Sequence, residues 1–173
     1  MQADPKKVFV VHGRNDKIRR ELFAFLHAID LSPIEWSQAE ALTGKASPFI
    51  GEVLDAGFSV AQAVVVLLTG DDEARLKSEY LKEDDPDYEK NLTPQPRPNV
   101  LFEAGMAFGR QPDRTILVEL GKLRPFSDVA GRNRVKLNDT SEKRHELAQK
   151  LENAGCKVDL SGTDWYKTGS FGS

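Results

Sequence analysis

The feature that most constrains the fold is a pair of uninterrupted apolar runs. Residues 63–68 include three consecutive valines, and residues 8–11 read Val-Phe-Val-Val. Runs of this length without alternating polar positions are typical of strands buried on both faces, as in a parallel sheet. Parallel strands need a crossover connection, usually a helix, and helical spacing follows the first run. The sequence therefore predicts an α/β fold.

The order of the other segments extends this prediction. In chain order we expect strand 7–12, helix 15–29, strand 33–36, polar loop 37–46, helix 47–56, strand 63–68, a long polar segment 73–99 with a short helix near 73–81, helix 99–109, strand 114–119, strand 134–137 and helix 140–153. This alternation indicates a flavodoxin-like layered α/β fold. Its central parallel sheet has about five strands, with helices on both faces.

Composition restricts the organisation and the partners. With 173 residues, the chain is long enough for one domain with a sizeable core, which we expect at residues 7–160. Residues 1–6 and 161–173 are predicted to be flexible termini. The net charge of -3 argues against nucleic acid as a partner. Cys156 is the only cysteine, and no apolar run is long enough to span a bilayer, which favours a cytoplasmic protein without a membrane partner.

Candidate site residues follow the strands. Ligands of such folds bind beyond the carboxyl ends of the parallel strands. The candidates there are Gly13 and Arg14 after the first strand, Trp36 at the second, Asp71 and Asp72 after the third, and the loop 125–128, with Ser127 and Asp128, after the fourth. All are expected to converge on one rim of the sheet.

Each of these candidates has two interpretations. Gly13 and Arg14 either bind phosphate at a helix N-terminus or form a plain turn. Trp36 either stacks on a base or packs in the core. Asp71 and Asp72 either bind ribose hydroxyls or a metal, or cap the next helix.

The segment around Glu103 is the strongest candidate for chemistry. Asn99 is predicted to cap a helix that ends near Gly109 and is apolar on nearly all faces, so we expect it to be buried. A buried carboxylate is costly unless it is paired. Glu103 is therefore either an active-site group or a residue that turns to solvent or pairs with Arg97 or Arg110. The loop that carries Arg97 and Asn99 is expected to reach the rim.

A single carboxylate limits the reaction types. No Ser-His-Asp or Cys-His arrangement is evident, and the three histidines lack metal-ligand spacing. His12 is either a base or a structural histidine. Ordinary glycosides require a second carboxyl group to protonate the leaving oxygen. The nicotinamide of NAD⁺ leaves as a neutral group without protonation, so one carboxylate that stabilises the oxocarbenium-like sugar is sufficient.

Three segments resemble a known family. Residues 8–14 (VFVVHGR), 64–72 (VVVLLTGDD) and above all 97–105 (RPNVLFEAG) are similar to bacterial TIR-like domains described as predicted nucleotide-binding proteins, which are effectors in anti-phage defence. The resemblance covers about residues 7–160. It implies a TIR-type fold and cleavage of NAD⁺ into nicotinamide and ADP-ribose. It further implies that Glu103 is the catalytic glutamate and that Gly13, Arg14, Asp71 and Asp72 lie near the dinucleotide, with NAD⁺ as substrate and no other cofactor or metal.

The resemblance also concerns assembly. The 37–47 loop resembles the family's BB loop, which helps to complete the active site of a neighbouring domain. Activity then depends on self-association, driven by a sensor domain or a cyclic-nucleotide-sensing partner. No sensor domain is visible in this sequence, so the chain is either a fragment or relies on a partner chain. Residues 73–96 match nothing specific.

Three functional hypotheses follow. The first is a TIR-type NAD⁺ glycohydrolase that is activated by self-association. The second is an enzyme similar to nucleoside deoxyribosyltransferases, which also use a glutamate at an α/β rim. The third is a non-catalytic TIR-like module that binds a nucleotide or self-associates, in which Glu103 has only a structural role.

Overall fold

The computed structural model describes residues 3–126 and 134–172 and contains a five-stranded parallel sheet. The strand order is β2-β1-β3-β6-β7. The strands are β1 (Asp4–Val11), β2 (Ser32–Ile34), β3 (Ala61–Leu68), β6 (Thr115–Glu119) and β7 (Arg134–Lys136), and a separate antiparallel pair is formed by β4 (Asp72–Ala74) and β5 (Thr93–Gln95). The helices are α1 (Asp16–Ala28), α2 (Trp36–Leu42), α3 (Ile50–Val60), α4 (Asp87–Lys90), α5 (Pro98–Arg110) and α6 (Ser141–Asn153). The predicted α/β architecture is confirmed.

The two faces of the sheet are covered by different helices. Alternate residues of the central strands point to opposite faces. Val8, Val10 and Val65 pack with α1 and α6, whereas Phe9 and Val66 pack with α2, α3 and α5. The central strands are therefore apolar on both faces, which explains why they were recognisable as continuous runs in the sequence.

Two predictions about connecting segments were wrong. The expected polar loop at 37–46 begins as helix α2, whose first turn is held by a hydrogen bond from the Glu35 amide to Gln38 Oε1 at 2.9 Å. Only Ala39 of this helix is buried, so its sequence has no long apolar stripe. The helix expected near 73–81 is replaced by β4 and a 3₁₀ turn at Ser78–Tyr80.

The described parts of the terminal segments are packed, unlike our prediction of flexible ends. Strand β1 begins at Asp4, within the segment 1–6 that we expected to be flexible. In the described part of the C-terminal segment, Trp165 and Phe171 are about as buried as core residues, with 4% and 5% exposure. Their indole and phenyl rings join the cluster formed by α1, α6 and the sheet. These two aromatic side chains bury a large apolar area, which holds the segment in place although most of the residues around them in the sequence are polar.

Helix α5 differs from the prediction in its bounds and its burial. Arg97 precedes it and Pro98 occupies its first turn, so Asn99 lies inside the helix and is not the cap. The helix continues to Arg110 instead of stopping at Gly109. Phe102 is 62% exposed. The helix therefore buries one face, not all of them, and Glu103 lies at the edge of that face.

Candidate active site

A cavity of about 240 Å³ lies between the carboxyl end of β1 and the first turns of α5. Its lining residues are His12, Gly13, Arg14, Arg97, Asn99, Val100 and Glu103. Five of the candidates that we predicted from the sequence, Gly13, Arg14, Arg97, Asn99 and Glu103, thus line one cavity. The parallel topology explains this convergence, because the loop after β1 and the start of α5 meet at the same edge of the sheet.

Glu103 is a half-buried carboxyl group without a compensating charge. Burial raises the pKa of Glu103 from its usual value of 4.5 to about 7. Among the described residues, no hydrogen bond or ion pair reaches its carboxylate. Neither arginine proposed as a partner pairs with Glu103: Arg97 Nε lies 3.7 Å from Asp72 Oδ1, beyond hydrogen-bond distance, and Arg110 Nε lies 2.5 Å from Asp55 Oδ1. A carboxyl group that is half-buried without a partner and has a raised pKa is typical of a catalytic or ligand-binding site.

Arg14 supplies the cavity with a positive charge. Its side chain forms no hydrogen bond or ion pair with any described residue, and the residue is exposed at the mouth of the cavity. The cavity therefore has an acid in its half-buried wall and a free guanidinium group at its opening. A ligand with an anionic group on one side and a cationic ring on the other matches this distribution.

Asp71 borders the Gly13–Arg14 loop and is not among the residues that line the cavity. Its Oδ2 accepts a hydrogen bond of 2.6 Å from the backbone amide of Arg14. A Cβ atom on Gly13 would overlap Oδ2 and would lie 3.2 Å from Cγ of the same carboxylate. Gly13 is therefore needed for the approach of Asp71 to the loop, whereas the sequence predicted either a plain turn or a phosphate site at this glycine.

Asp72 also lies outside the cavity lining and faces Arg97. Asp72 is the first residue of β4, which pairs with β5, and Arg97 follows β5 by two residues. The 3.7 Å separation between Arg97 Nε and Asp72 Oδ1 connects the start and the end of the 72–97 segment. Neither aspartate caps a helix here, because a strand follows them. The helix-capping interpretation of the two aspartates was therefore wrong.

Trp36 is not part of the cavity. It is the first residue of α2, is half-buried, and packs against the cluster beneath α3 and α5. The core interpretation of Trp36 applies in the structure. Ser127 and Asp128, which the sequence also placed on the rim, lie outside the described residues.

His12 lines the cavity, although the sequence left its role open. Its Nδ1 lies 2.8 Å from the backbone oxygen of Gly13, which can only accept, so Nδ1 is the donor of this hydrogen bond. The signal available in the sequence was its position as the first residue after a buried strand.

Within residues 3–126 and 134–172, no three histidine, cysteine, aspartate or glutamate side chains are grouped so that they could hold an ion. Over the same residues, no helix combines the length and the apolar character needed to cross a membrane.

Comparison with models of protein families shows to which family this chain belongs. Residues 7–139 match the family model described as CAP12/Pycsar effector protein, TIR domain. The chain belongs to this TIR-domain family. It is a family of bacterial anti-phage defence effectors, which confirms the resemblance given above. The matched residues include the whole cavity, whereas α6 and the C-terminal segment lie beyond them. A search of curated proteins found no match.

Proposed function

We propose that the protein is an NAD⁺ glycohydrolase that cleaves the bond between nicotinamide and ribose, with Glu103 as its catalytic residue. The observation that carries the proposal is the unpaired Glu103 carboxyl in the cavity, with its raised pKa. Family membership supports a role in defence, and the geometry supports the chemistry.

The cavity suggests how the substrate lies. Arg14 and Arg97 bind the phosphates of the dinucleotide, because guanidinium groups match phosphate oxygens in geometry and charge. The nicotinamide ribose then extends toward Glu103. The positively charged pyridinium ring favours the ionised form of Glu103, so substrate binding promotes the reactive state.

The reaction requires little proton transfer. The C1′–N bond breaks, and its electron pair remains on the nicotinamide nitrogen, which becomes neutral. The Glu103 carboxylate stabilises the positive charge that develops on the ribose. A water oxygen then bonds to C1′ and releases its proton to solvent, giving ADP-ribose.

The decisive experiment replaces the carboxylate. Glu103→Gln should lower the rate of nicotinamide release by about 10²–10³-fold, because an amide of the same shape does not stabilise a cation. The matched control is Glu73→Gln, which removes the same charge from an exposed position outside the cavity and should keep the wild-type rate. Nicotinamide is quantified by chromatography at high protein concentration. Equal rates for the two variants would contradict the proposal.

The pH dependence gives an independent test. Because Glu103 acts as a carboxylate, kcat/KM should rise with pH and reach half its maximum near pH 7, the pKa of the free enzyme. An ordinary exposed glutamate would produce the same rise about two to three pH units lower. The profile is measured with buffers of constant ionic strength. A flat profile between about pH 5 and 8 would exclude Glu103 as the titrating group.

We further propose that self-association through the 37–47 segment, which includes most of α2, activates the enzyme. Leu42, Phe49 and Ile50, in and just after this segment, are 54%, 81% and 52% exposed, which is unusual for large apolar side chains. A second copy of the chain would bury them. A sensor domain or a cyclic-nucleotide-sensing partner would raise the local concentration of the copies.

Self-association is tested by activity per molecule. The specific activity of the wild type should increase with protein concentration, and Phe49→Ser should shift this increase to about tenfold higher concentration. The control is Tyr80→Ser, which removes a 63% exposed aromatic ring from a different segment. Specific activity independent of concentration, with a monomeric protein by light scattering, would contradict self-association.

A further inference from the structure

The loop between β1 and α1 resembles an anion site, yet its backbone donor is already used. The amide of Arg14 points to Asp71 Oδ2 at 2.6 Å, a short distance typical of a charge-assisted hydrogen bond. The carboxylate occupies the space beside Gly13 that a side chain would fill. The position that a phosphate oxygen would take at this loop is thus held by a carboxylate of the protein itself.

The N-terminus of α1 is satisfied internally as well. The side chain of Asn15 accepts a hydrogen bond from the Ile18 amide, and the Asp16 amide donates to the Arg14 carbonyl at 2.8 Å. The carboxylate of Asp16 adds a negative charge to the first turn and pairs with Arg19. A phosphate at this helix end would meet two carboxylates and few free donors.

In contrast to these backbone amides, the guanidinium groups at the cavity form no hydrogen bonds within the described residues. The Arg14 guanidinium has no partner among the described residues. The shortest separation between Arg97 and Asp72 is 3.7 Å, from Nε to Oδ1, and the Arg97 side chain forms no hydrogen bond within the described residues. Cβ of Gly13, if present, would also lie 3.8 Å from Cγ of Arg97, so both arginines border the same loop.

From this arrangement we infer that Asp71 is a specificity-determining residue, an internal anion that keeps phosphate off the Gly13–Arg14 backbone and directs it to the side chains of Arg14 and Arg97. The inference rests on the proposed function in one respect, since it takes the cavity as the site of a phosphate-bearing ligand. The ligand class is a molecule whose phosphate is bound by guanidinium groups alone. In the free protein, Asp71 also holds the loop in place without a ligand.

The first test measures affinity for inorganic pyrophosphate and for ADP-ribose by calorimetry. Asp71→Asn removes the charge but keeps a side-chain oxygen for the Arg14 amide, so binding of both anions should strengthen by about fivefold at low salt. The gain should shrink as salt is added. Glu73→Gln, with the same change in net charge two residues away, should change the affinity by less than about twofold.

A gain of affinity separates this role from a merely structural one. If Asp71 only supported the fold, its replacement would weaken binding or leave it unchanged, and either result overturns the inference. Thermal unfolding of each variant checks that the compared proteins are folded.

The second test uses the wild-type protein, so it holds even if Asp71→Asn does not fold. In ¹⁵N-resolved NMR spectra, pyrophosphate should shift the side-chain Nε–H signals of Arg14 and Arg97 and leave the backbone amide of Arg14 in place. A large shift of that backbone amide would mean that phosphate displaces Asp71, and would overturn the inference. Absence of NAD⁺ cleavage would instead count against the proposed function, because both tests measure binding without turnover.

Discussion

Glu103 is a half-buried ionisable residue and Arg144 a fully buried one, and the protein treats them in opposite ways. Arg144 is 2% exposed, and its guanidinium donates to the backbone oxygens of Asp139, Thr168 and Gly169. Glu103 lies in a cavity with no partner among the described residues, and its pKa is raised to about 7. The first charge is fully compensated, and the second is available to a ligand. Compensation, more than burial, distinguishes structural charges from functional ones.

The Arg144 cluster explains how the C-terminal segment is held. Besides its hydrogen bonds, the guanidinium lies 5.2 Å from the ring centroid of Phe171, and the Phe171 amide donates to Asp139 Oδ1 at 2.7 Å. The Ser170 amide donates to Glu21 of α1 at 2.9 Å. The last residues are thereby fastened to α1 and α6 on the face of the sheet opposite α5.

The largest effect on stability is expected at Arg144. Arg144→Met keeps most of the side-chain volume but leaves three carbonyl oxygens without donors, so it should lower the free energy of unfolding by about 3 kcal/mol. Urea unfolding measures this loss. Lys150→Met, on the same helix but without a side-chain partner among the described residues, should cost less than about 0.5 kcal/mol. A loss below about 1 kcal/mol for Arg144→Met would contradict the role assigned to it.

Replacement of Glu103 is expected to change the free energy of unfolding by a smaller amount, and to increase it. Its pKa in the folded state, about 7, exceeds the ordinary 4.5, so its favourable contribution is fully present below pH 4.5 and is lost as the pH rises through 7. At about pH 8 the wild type must keep a carboxylate in a partly dry site, and Glu103→Gln avoids this cost. The variant should be more stable there by roughly 1–2 kcal/mol, reduced from the full shift because the group is partly hydrated.

The pH difference is the control for this second prediction. At about pH 4.5 the carboxyl is protonated in the folded state, and the advantage of Glu103→Gln should disappear. The comparison requires urea unfolding of both proteins at the two pH values. An advantage that is the same at both would indicate a change in packing instead of a desolvated charge.

The contrast also explains what could be predicted from the sequence. Strands β1, β3 and β6 were predictable because burial on both faces leaves a continuous apolar run. The C-terminal segment was not, because three of the groups that hold Arg144 are backbone carbonyls, which have no signature in the sequence, and Asp139 is the only side-chain acceptor among them within the described residues. Helix α2 was missed since it buries only Ala39.

The site was predictable only in part, for a related reason. Glu103 stood out as one acid in an apolar segment, and the structure has it in a cavity, although the expected burial of the whole helix was wrong because Phe102 is 62% exposed. The partners of Asp71 were not predictable. Its hydrogen bond joins residues 57 positions apart and ends on a backbone amide.

The smallest effect on stability is expected at Arg110, whose charge is paired like that of Arg144 but is exposed to water. Arg110, on the same helix as Glu103, forms an ion pair with Asp55, and both side chains are largely hydrated, with 39% and 55% exposure. Arg110→Gln should therefore cost at most about 0.5 kcal/mol in unfolding free energy. It should also leave the midpoint of the pH–activity profile near 7, because Arg110 is turned toward Asp55 and not toward Glu103. A rise of that midpoint by about one unit in Arg110→Gln would mean that the arginine stabilises the Glu103 carboxylate in solution, and that Glu103 is compensated in the way Arg144 is.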